Sequence, residues 1–525
     1  MRVKTIQIVW HEKKPVYSVD FHSSGVLATG GGDKDVKLWE VKLDSEQNPI
    51  VTHLGHLMGH TRDVNTVRFA PSGQLLASAG VGGEMYLWKP STETQKVFGS
   101  EETDPGWKTS AALRGHTDDV QDLAWAPDSS ALMSGSIENI CIIWDAEAAA
   151  RKCRLEDHRH YVQGVSWDPA SEFVVSQSTD RTCRVYGPKG PVLGKKKAKK
   201  SQAASSVKMV LDMQCLHVLS KRAMPASGPS KQEQEDSKPQ RLSLFQDEQL
   251  NSFFRRLAWS PDGSFLVVPC GQYKQTADSP TLFTAYVYAR GHWAQPFLRL
   301  PATNKAVVAV RFCPQLFSLR DCPPQDNSLS DSQQQQPFQL PYRMVFAIAT
   351  LDSIIIYDTQ QPTPIAVLGA LHFEAVTDLA WSCDGMFLAI SSYDGYCSIA
   401  SFDKGELGEF VLAADLPPHI RERVACAAKQ AAPAACTPHP HKTPGPASGS
   451  ASMPPPSTSQ ASRLQQEEDF SMLSPLPMRK MNASTATGMK SGMKRIAPSP
   501  NVAGNSRLDS TQNTKKARRI APEAV

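Results

Sequence analysis

One internal ruler recurs along the chain, and it restricts the fold more than any other feature. His60 is followed by Val64, Val67, Phe69 and Pro71, and His116 by Val120, Leu123, Trp125 and Pro127. The same offsets carry His158 to Val162, Val165, Trp167 and Pro169, and His372 to Val376, Leu379, Trp381 and Cys383. Trp88, Trp144, Tyr186 and Ala400 each lie 28 residues after their histidine, as Trp39 does after His11, where Phe21 is displaced by one position. Within a unit, apolar residues alternate and are broken by Pro-Ser-Gly or Gly-Gly, which reads as short antiparallel strands joined by turns. Two more units lack the histidine but keep the core: FFRRLAWSPDGSFLVVP, ending near TAYVYA, and AVVAVRFCPQLF, resuming at YRMVFAIATLDSIIIYD. Seven units result.

Composition sets the extent of this body. Of the 39 prolines, 15 fall in residues 413–525, where Phe470 is the sole aromatic. Such a stretch buries too little apolar surface to offset the entropy of ordering. The ring is therefore expected over residues 1–412, with polar insertions at 187–252 and 315–341, and a disordered, Pro-rich, basic tail over 413–525. The tail carries 15 Lys and Arg against 7 Asp and Glu, which leaves a mildly acidic body under a formal net charge of +4. That asymmetry suits a body that accepts basic partners, and it argues against a folded domain that grips DNA directly. Eleven cysteines are scattered with no Cys-x-x-Cys pair, the usage of reduced thiols. No apolar run reaches 18 residues and the N-terminus shows no cleavage signal, so neither secretion nor membrane spanning is expected.

The units resemble the WD-repeat family. Gly59-His60, Gly115-His116 and Trp144-Asp145 carry the likeness. It implies an all-β, seven-bladed β-propeller. The alternating segment Val3–Val9 then reads as the outer strand of the last blade, closing the ring and removing a free edge. WD-repeat units tend to place Asp in a tight turn 22 residues after the histidine, here Asp33, Asp180 and Asp394, whereas blade two has Gly82 and blade three Glu138. Those departures are expected to weaken the buried His–Asp bond in these two blades. A His, an Asp and nearby serines also fit a nucleophilic triad, but their recurrence at equivalent places fits a structural bond better, since catalysis needs one site. No enzyme, metal or cofactor is expected.

Other segments are more specific. FFRRL ends at Leu257, LPYR at Arg343, YDTQQ at Gln361 and SSYDGYC at Cys397. With Tyr161-Val162-Gln163-Gly164-Val165 they resemble the family of the middle WD-repeat subunit of chromatin assembly factor 1, a histone chaperone. The resemblance implies a nuclear, non-catalytic scaffold that holds the large and small subunits of that factor and histones H3–H4 during replication-coupled nucleosome assembly, touching DNA only indirectly. A HIRA-like subunit of a replication-independent chaperone is the alternative, though that family pairs its propeller with a large C-terminal domain. A ubiquitin-ligase substrate receptor is less favoured, because Trp144-Asp145 is followed by Ala146-Glu147 where that family places Arg.

The tail repeats a short motif. Arg495, Ile496 and Pro498 recur as Arg519, Ile520 and Pro522, each after a basic residue, Lys494 or Arg518. Basic-basic-Ile-x-Pro is similar to the segment with which HIRA and related proteins bind the anti-silencing function 1 chaperone, by adding a strand to a sheet edge. The runs Lys195, Lys196, Lys197, Lys199, Lys200 and Lys515, Lys516, Arg518, Arg519 also read as nuclear import signals, and the first as a nucleic-acid contact or a solvated loop. Thr437, Thr443, Ser474 and Ser499 each precede proline and are candidate phosphorylation sites. Phosphate on Ser499 would set negative charge beside Arg495.

Overall fold

The computed structural model describes residues 1–91, 106–189, 213–223, 241–276, 279–320, 338–411 and 416. Seven four-stranded antiparallel sheets form a β-propeller. From the innermost strand outward, blade one is Val16–Phe21, Val26–Gly31, Val36–Leu43 and Pro49–Leu57. Blades two, three and four begin at Val64–Phe69, Val120–Trp125 and Val162–Trp167. Blades five, six and seven begin at Ala258–Trp259, Val307–Phe317 and Val376–Trp381. Apolar faces of neighbouring blades interlock, so Val36 and Leu38 of blade one share a cluster with Val64, Val67 and Trp88 of blade two. Each blade covers one sheet face of the next, which suits the mostly apolar strands.

The last blade is completed by the N-terminus. Arg2–Ile6 pairs antiparallel with Cys397–Ser401, and Thr5 Oγ1 lies 2.8 Å from Ser398 Oγ. Both ends of the body thus meet in one sheet. The insertions differ from the sequence expectation. Within 187–252, Met213–Leu219 is the outer strand of blade four, and Lys221–Ala223 pairs with Arg241–Ser243 in a small ribbon. Polar edge residues hid this strand, because its middle faces solvent. At 315–341, the first residues continue blade six's inner strand to Phe317.

The ruler positions meet inside the blades. In blade one His11 Nδ1 lies 2.5 Å from Asp33 Oδ1, His11 Nε2 lies 2.7 Å from Thr29 Oγ1, and the Trp39 indole donates to that same hydroxyl at 2.9 Å. A carboxylate only accepts, so Nδ1 carries the proton and Nε2 accepts from the hydroxyl. Blade three repeats the chain through His116, Ser134 and Trp144, with Glu138 in the carboxylate role at 2.7 Å. The extra methylene of Glu138 therefore costs this blade nothing in contact, contrary to the expected weakening. In blade four His158 joins Asp180 at 2.9 Å and Ser176 at 2.7 Å, and Tyr186 fills the indole's place. In blade seven His372 joins Asp394 at 3.0 Å and Ser398 at 3.0 Å, so the closing strand's Thr5 extends this chain.

Blade two is the exception. Gly82 and Gly83 both sit at positive φ in a 3-10 turn, a geometry that suits glycine. Glu84 instead caps Thr61, and its carboxylate stays 3.6 Å from His60 Nδ1, which has no hydrogen-bond partner. His60 Nε2 still lies 2.7 Å from Ser78 Oγ, to which Trp88 also donates. Burial pushes the His60 imidazole down to about 4, outweighing Glu84.

Two outcomes follow from these contacts. Deleting residues 1–6 exposes the edge of blade seven and removes the ladder from Arg2 to Ile6, whose bonds contribute roughly 1 kcal/mol each. Thermal melts should show a clear drop in Tm, and an unchanged Tm would contradict ring closure by this strand. The second concerns acid. A histidine held neutral in the fold supports stability above its unfolded pKa of about 6.5. That support is lost as pH falls toward about 4. The stability gap between the wild type and His60→Gln should therefore shrink between those values in urea titrations, and a gap that widens on acidification would contradict it.

Candidate docking face and the axial ion network

The innermost strands carry charge where a ring of apolar blades would otherwise leave a bare channel. In blades one, two, three, four, six and seven the first hairpin carries a bulge at one equivalent place, between Val120 and Asp122 in blade three and between Val376 and Asp378 in blade seven. A bulge re-aims the side chain that follows it, and here the residues that follow include Asp122 and Asp378. Arg68 of blade two reaches Asp378 at 2.8 Å and Asp122 at 3.3 Å, and Arg311 of blade six reaches Asp378 at 3.2 Å.

Arg256 completes the set. It lies in FFRRL, just before the short inner strand of blade five. It donates to the backbone oxygens of Tyr17 at 2.9 Å, Asn65 at 2.8 Å and Thr377 at 3.0 Å, which belong to blades one, two and seven. Its guanidinium pairs with Asp378 at 2.9 Å and stacks 3.9 Å from the Phe254 ring centre. Burial alone would raise the Asp378 carboxyl, but Arg256, Arg68 and Arg311 hold it well below the ordinary range. Burial pushes Arg256 down to about 10, so it stays charged at neutral pH. Asp20 goes the other way: burial pushes it up to about 6 despite Arg68.

Arg255 ties blade four to the same segment. Its backbone N–H donates to Gln163 O at 2.9 Å and its Nε to Gln163 Oε1 at 2.8 Å. A Cβ on Gly164 would lie 1.9 Å from the Arg255 carbonyl oxygen, so only glycine lets this strand pass. The other family-specific segments are clamps of the same kind. Tyr342 donates to Asp262 at 2.7 Å, Arg343 pairs with Asp358 at 3.0 Å, and Gln360 accepts from the Arg320 backbone N–H at 2.9 Å. None of this network was read from the sequence, although a charged residue at an inward position of an inner strand is a signal that could have found it.

The alternation of strand direction puts the links between blades and the second hairpin turn of every blade on one face, termed the link face. Val9, Met58, Tyr161, Phe253, Phe373 and Tyr396 are exposed there, Phe373 to 98% and Phe253 to 58%. Exposed large side chains on the links mark a surface for partners. The links also carry Asp63, Asp118, Asp119, Asp157 and Glu374. Of the residues singled out in the sequence, the blade histidines, carboxylates and aromatics lie inside the blades beneath this face. The lysine run 195–200, the motifs at 494–498 and 518–522, Lys515, Lys516, Thr437, Thr443, Ser474 and Ser499 lie outside the described residues.

The axial network makes a sharp stability forecast. Arg256→Met removes three bonds to backbone oxygens and one of the three arginine partners of Asp378, a loss of about 3 kcal/mol at roughly 1 kcal/mol per bond. Chemical denaturation should show it as a lower midpoint, and a midpoint within error of wild type would overturn the role given to Arg256.

Comparison with known proteins agrees with this architecture. The CAF1B/HIR1 beta-propeller domain model matches residues 1–217 and 206–407. The chain is 43% identical over 412 residues to "Chromatin assembly factor 1 subunit FAS2 homolog" of Oryza sativa subsp. japonica, covering 78% of this chain and 74% of that protein. It is 34% identical over 420 residues to the corresponding chromatin assembly factor 1 subunit of Mus musculus, covering 78% and 68%. "Protein HIR1" of Eremothecium gossypii is more distant, at 26% identity over 422 residues, covering 75% of this chain and 46% of that protein. With the propeller, the clamps and these likenesses together, the chain belongs to the CAF1B family, the WD-repeat subunits of chromatin assembly factor 1.

Proposed function

We propose that this protein is a non-catalytic scaffold subunit of a nuclear histone H3–H4 chaperone that assembles nucleosomes on newly replicated DNA. The observation that carries the reading is the ring itself: its histidines, carboxylates and hydroxyls are spent on bonds repeated from blade to blade, while aromatic side chains stand exposed on the link face. The propeller holds the large and small subunits of chromatin assembly factor 1 and helps hold the histones. Shielding a very basic protein from premature contact with DNA calls for surface with acidic and exposed apolar groups, and the links carry both kinds of group, among basic ones. DNA is met only through the complex. The HIRA-like alternative has weaker support, since the likeness to "Protein HIR1" is lower.

The tail recruits the delivering chaperone, anti-silencing function 1. Ile496 with Pro498, and Ile520 with Pro522, fill an apolar groove beside a sheet edge, while Arg495 and Arg519 meet acidic residues. The basic runs at 195–200 and 515–519 serve import. Phosphate at Ser499 weakens the hold of an acidic partner on the first motif.

Purification of the full chain from dividing cells tests the scaffold reading. Core histones and two further chaperone subunits should co-purify, and a cullin adaptor in their place would refute it. For the tail, a peptide spanning residues 490–525 should bind anti-silencing function 1, and replacing Ile496 and Ile520 by alanine should cost about tenfold or more, from the apolar surface an isoleucine buries. Equal affinity of both peptides would rule out the motif, and equal binding by a Ser499→Asp peptide would rule out the phosphate effect.

A further inference from the structure

The axial end of the link face is paved with aromatic rings drawn from distant parts of the chain. Tyr17 enters from the inner strand of blade one, Tyr393 from the second turn of blade seven, and Phe253 and Phe254 from the link between blades four and five. The Tyr17 and Tyr393 rings lie 5.6 Å apart edge to face, Phe253 lies 6.2 Å from Tyr393, and Phe254 lies 6.4 Å from Tyr17. Tyr17 donates to Asp63 Oδ2 at 3.3 Å, so a carboxylate stands at the edge of the rings.

Two features of this cluster are not explained by ring closure. Phe253 is more than half exposed, though the adjacent Phe254 is buried. The Tyr393 hydroxyl is buried and has no hydrogen-bond partner, a cost that a bound polar group relieves. Aromatic faces attract cations, and a neighbouring carboxylate strengthens the attraction. Below the rings the axis is already filled by the paired charges, so a ligand is held at the mouth and does not thread the channel.

We propose that Phe253, Tyr17 and Tyr393, with Asp63, form a receptor for one arginine or lysine side chain of an extended basic segment laid across the link face, and that this segment is a histone N-terminal tail. The occupant is argued from charge: the rings and Asp63 favour a cation, and Asp118, Asp119, Asp157 and Glu374 stand on the surrounding links, among the basic Lys13, Lys14, Arg62 and Arg159. The inference rests on the histone reading above and adds to it the part of the histone held and the residues that hold it.

The test uses the full chain with fluorescent H3 and H4 N-terminal tail peptides and, separately, intact H3–H4. Phe253 is exposed, so Phe253→Ala leaves the fold in place, and Tyr393→Phe removes only the orphan hydroxyl. Wild type should bind a tail peptide. Phe253→Ala should weaken that binding about fivefold or more, and Tyr393→Phe by a smaller factor. Leu216→Ala, on the outer edge of blade four, should leave it unchanged. Tail binding that is indifferent to Phe253 and Tyr393, or absent while intact H3–H4 is still held, overturns the receptor and leaves the histone reading standing. Failure of wild type to hold either peptides or intact H3–H4 removes both.

Discussion

Everything in this ring is organised around a small set of buried charges on its axis. Asp378 receives Arg68, Arg256 and Arg311 from blades two, the four-to-five link and six, and Asp122 of blade three takes a further bond from Arg68. Apolar packing between blades has no preferred closure of its own, because each contact resembles the next. Directional charge pairs and the three backbone bonds of Arg256 tie distant blades to one point. Buried ion pairs contribute little net stability compared with apolar replacements of equal shape, but breaking one is expensive. On this account the network's role is to hold the ring in one arrangement, with its link face in a fixed geometry.

The periodic parts of the molecule were legible in the sequence for a physical reason. Alternation at period two and a 28-residue spacing after the histidine are direct consequences of one blade's geometry; the spacing located five sheets, alternation the other two and a closing strand read as Val3–Val9 that spans Arg2–Ile6. What escaped is aperiodic. Met213–Leu219 turns its middle residues to solvent as an outer strand, so its sequence lacks a core pattern. Glu138 looked like a defect because spacing alone does not reveal that a longer side chain reaches the same imidazole. The axial charges went unread because each is a single residue in its own blade, and only the fold brings them together.

The segments that distinguish this family also acquire a physical meaning. FFRRL does not begin a blade; the chain enters the sheet only after it, which shortens the inner strand of blade five to Ala258–Trp259. It thereby sets Arg255 against blade four and Arg256 on the axis, with Gly164 clearing the way. LPYR and YDTQQ hold one another through Arg343 and Asp358. These motifs are specific because they build blades five and six, which lack the histidine-based chain. Phe253 of FFRRL stands exposed on the link face beside Tyr393 of the regular blade seven.

Hydrogen–deuterium exchange on the full chain, alone and within the histone-loaded complex, tests most directly that the link face is where this ring works. The account predicts slowed exchange in the links holding Tyr161, Phe253 and Phe373 and in the turn holding Tyr396, with the turns of the opposite face unchanged. Protection restricted to the opposite face or to the outer strands would contradict it.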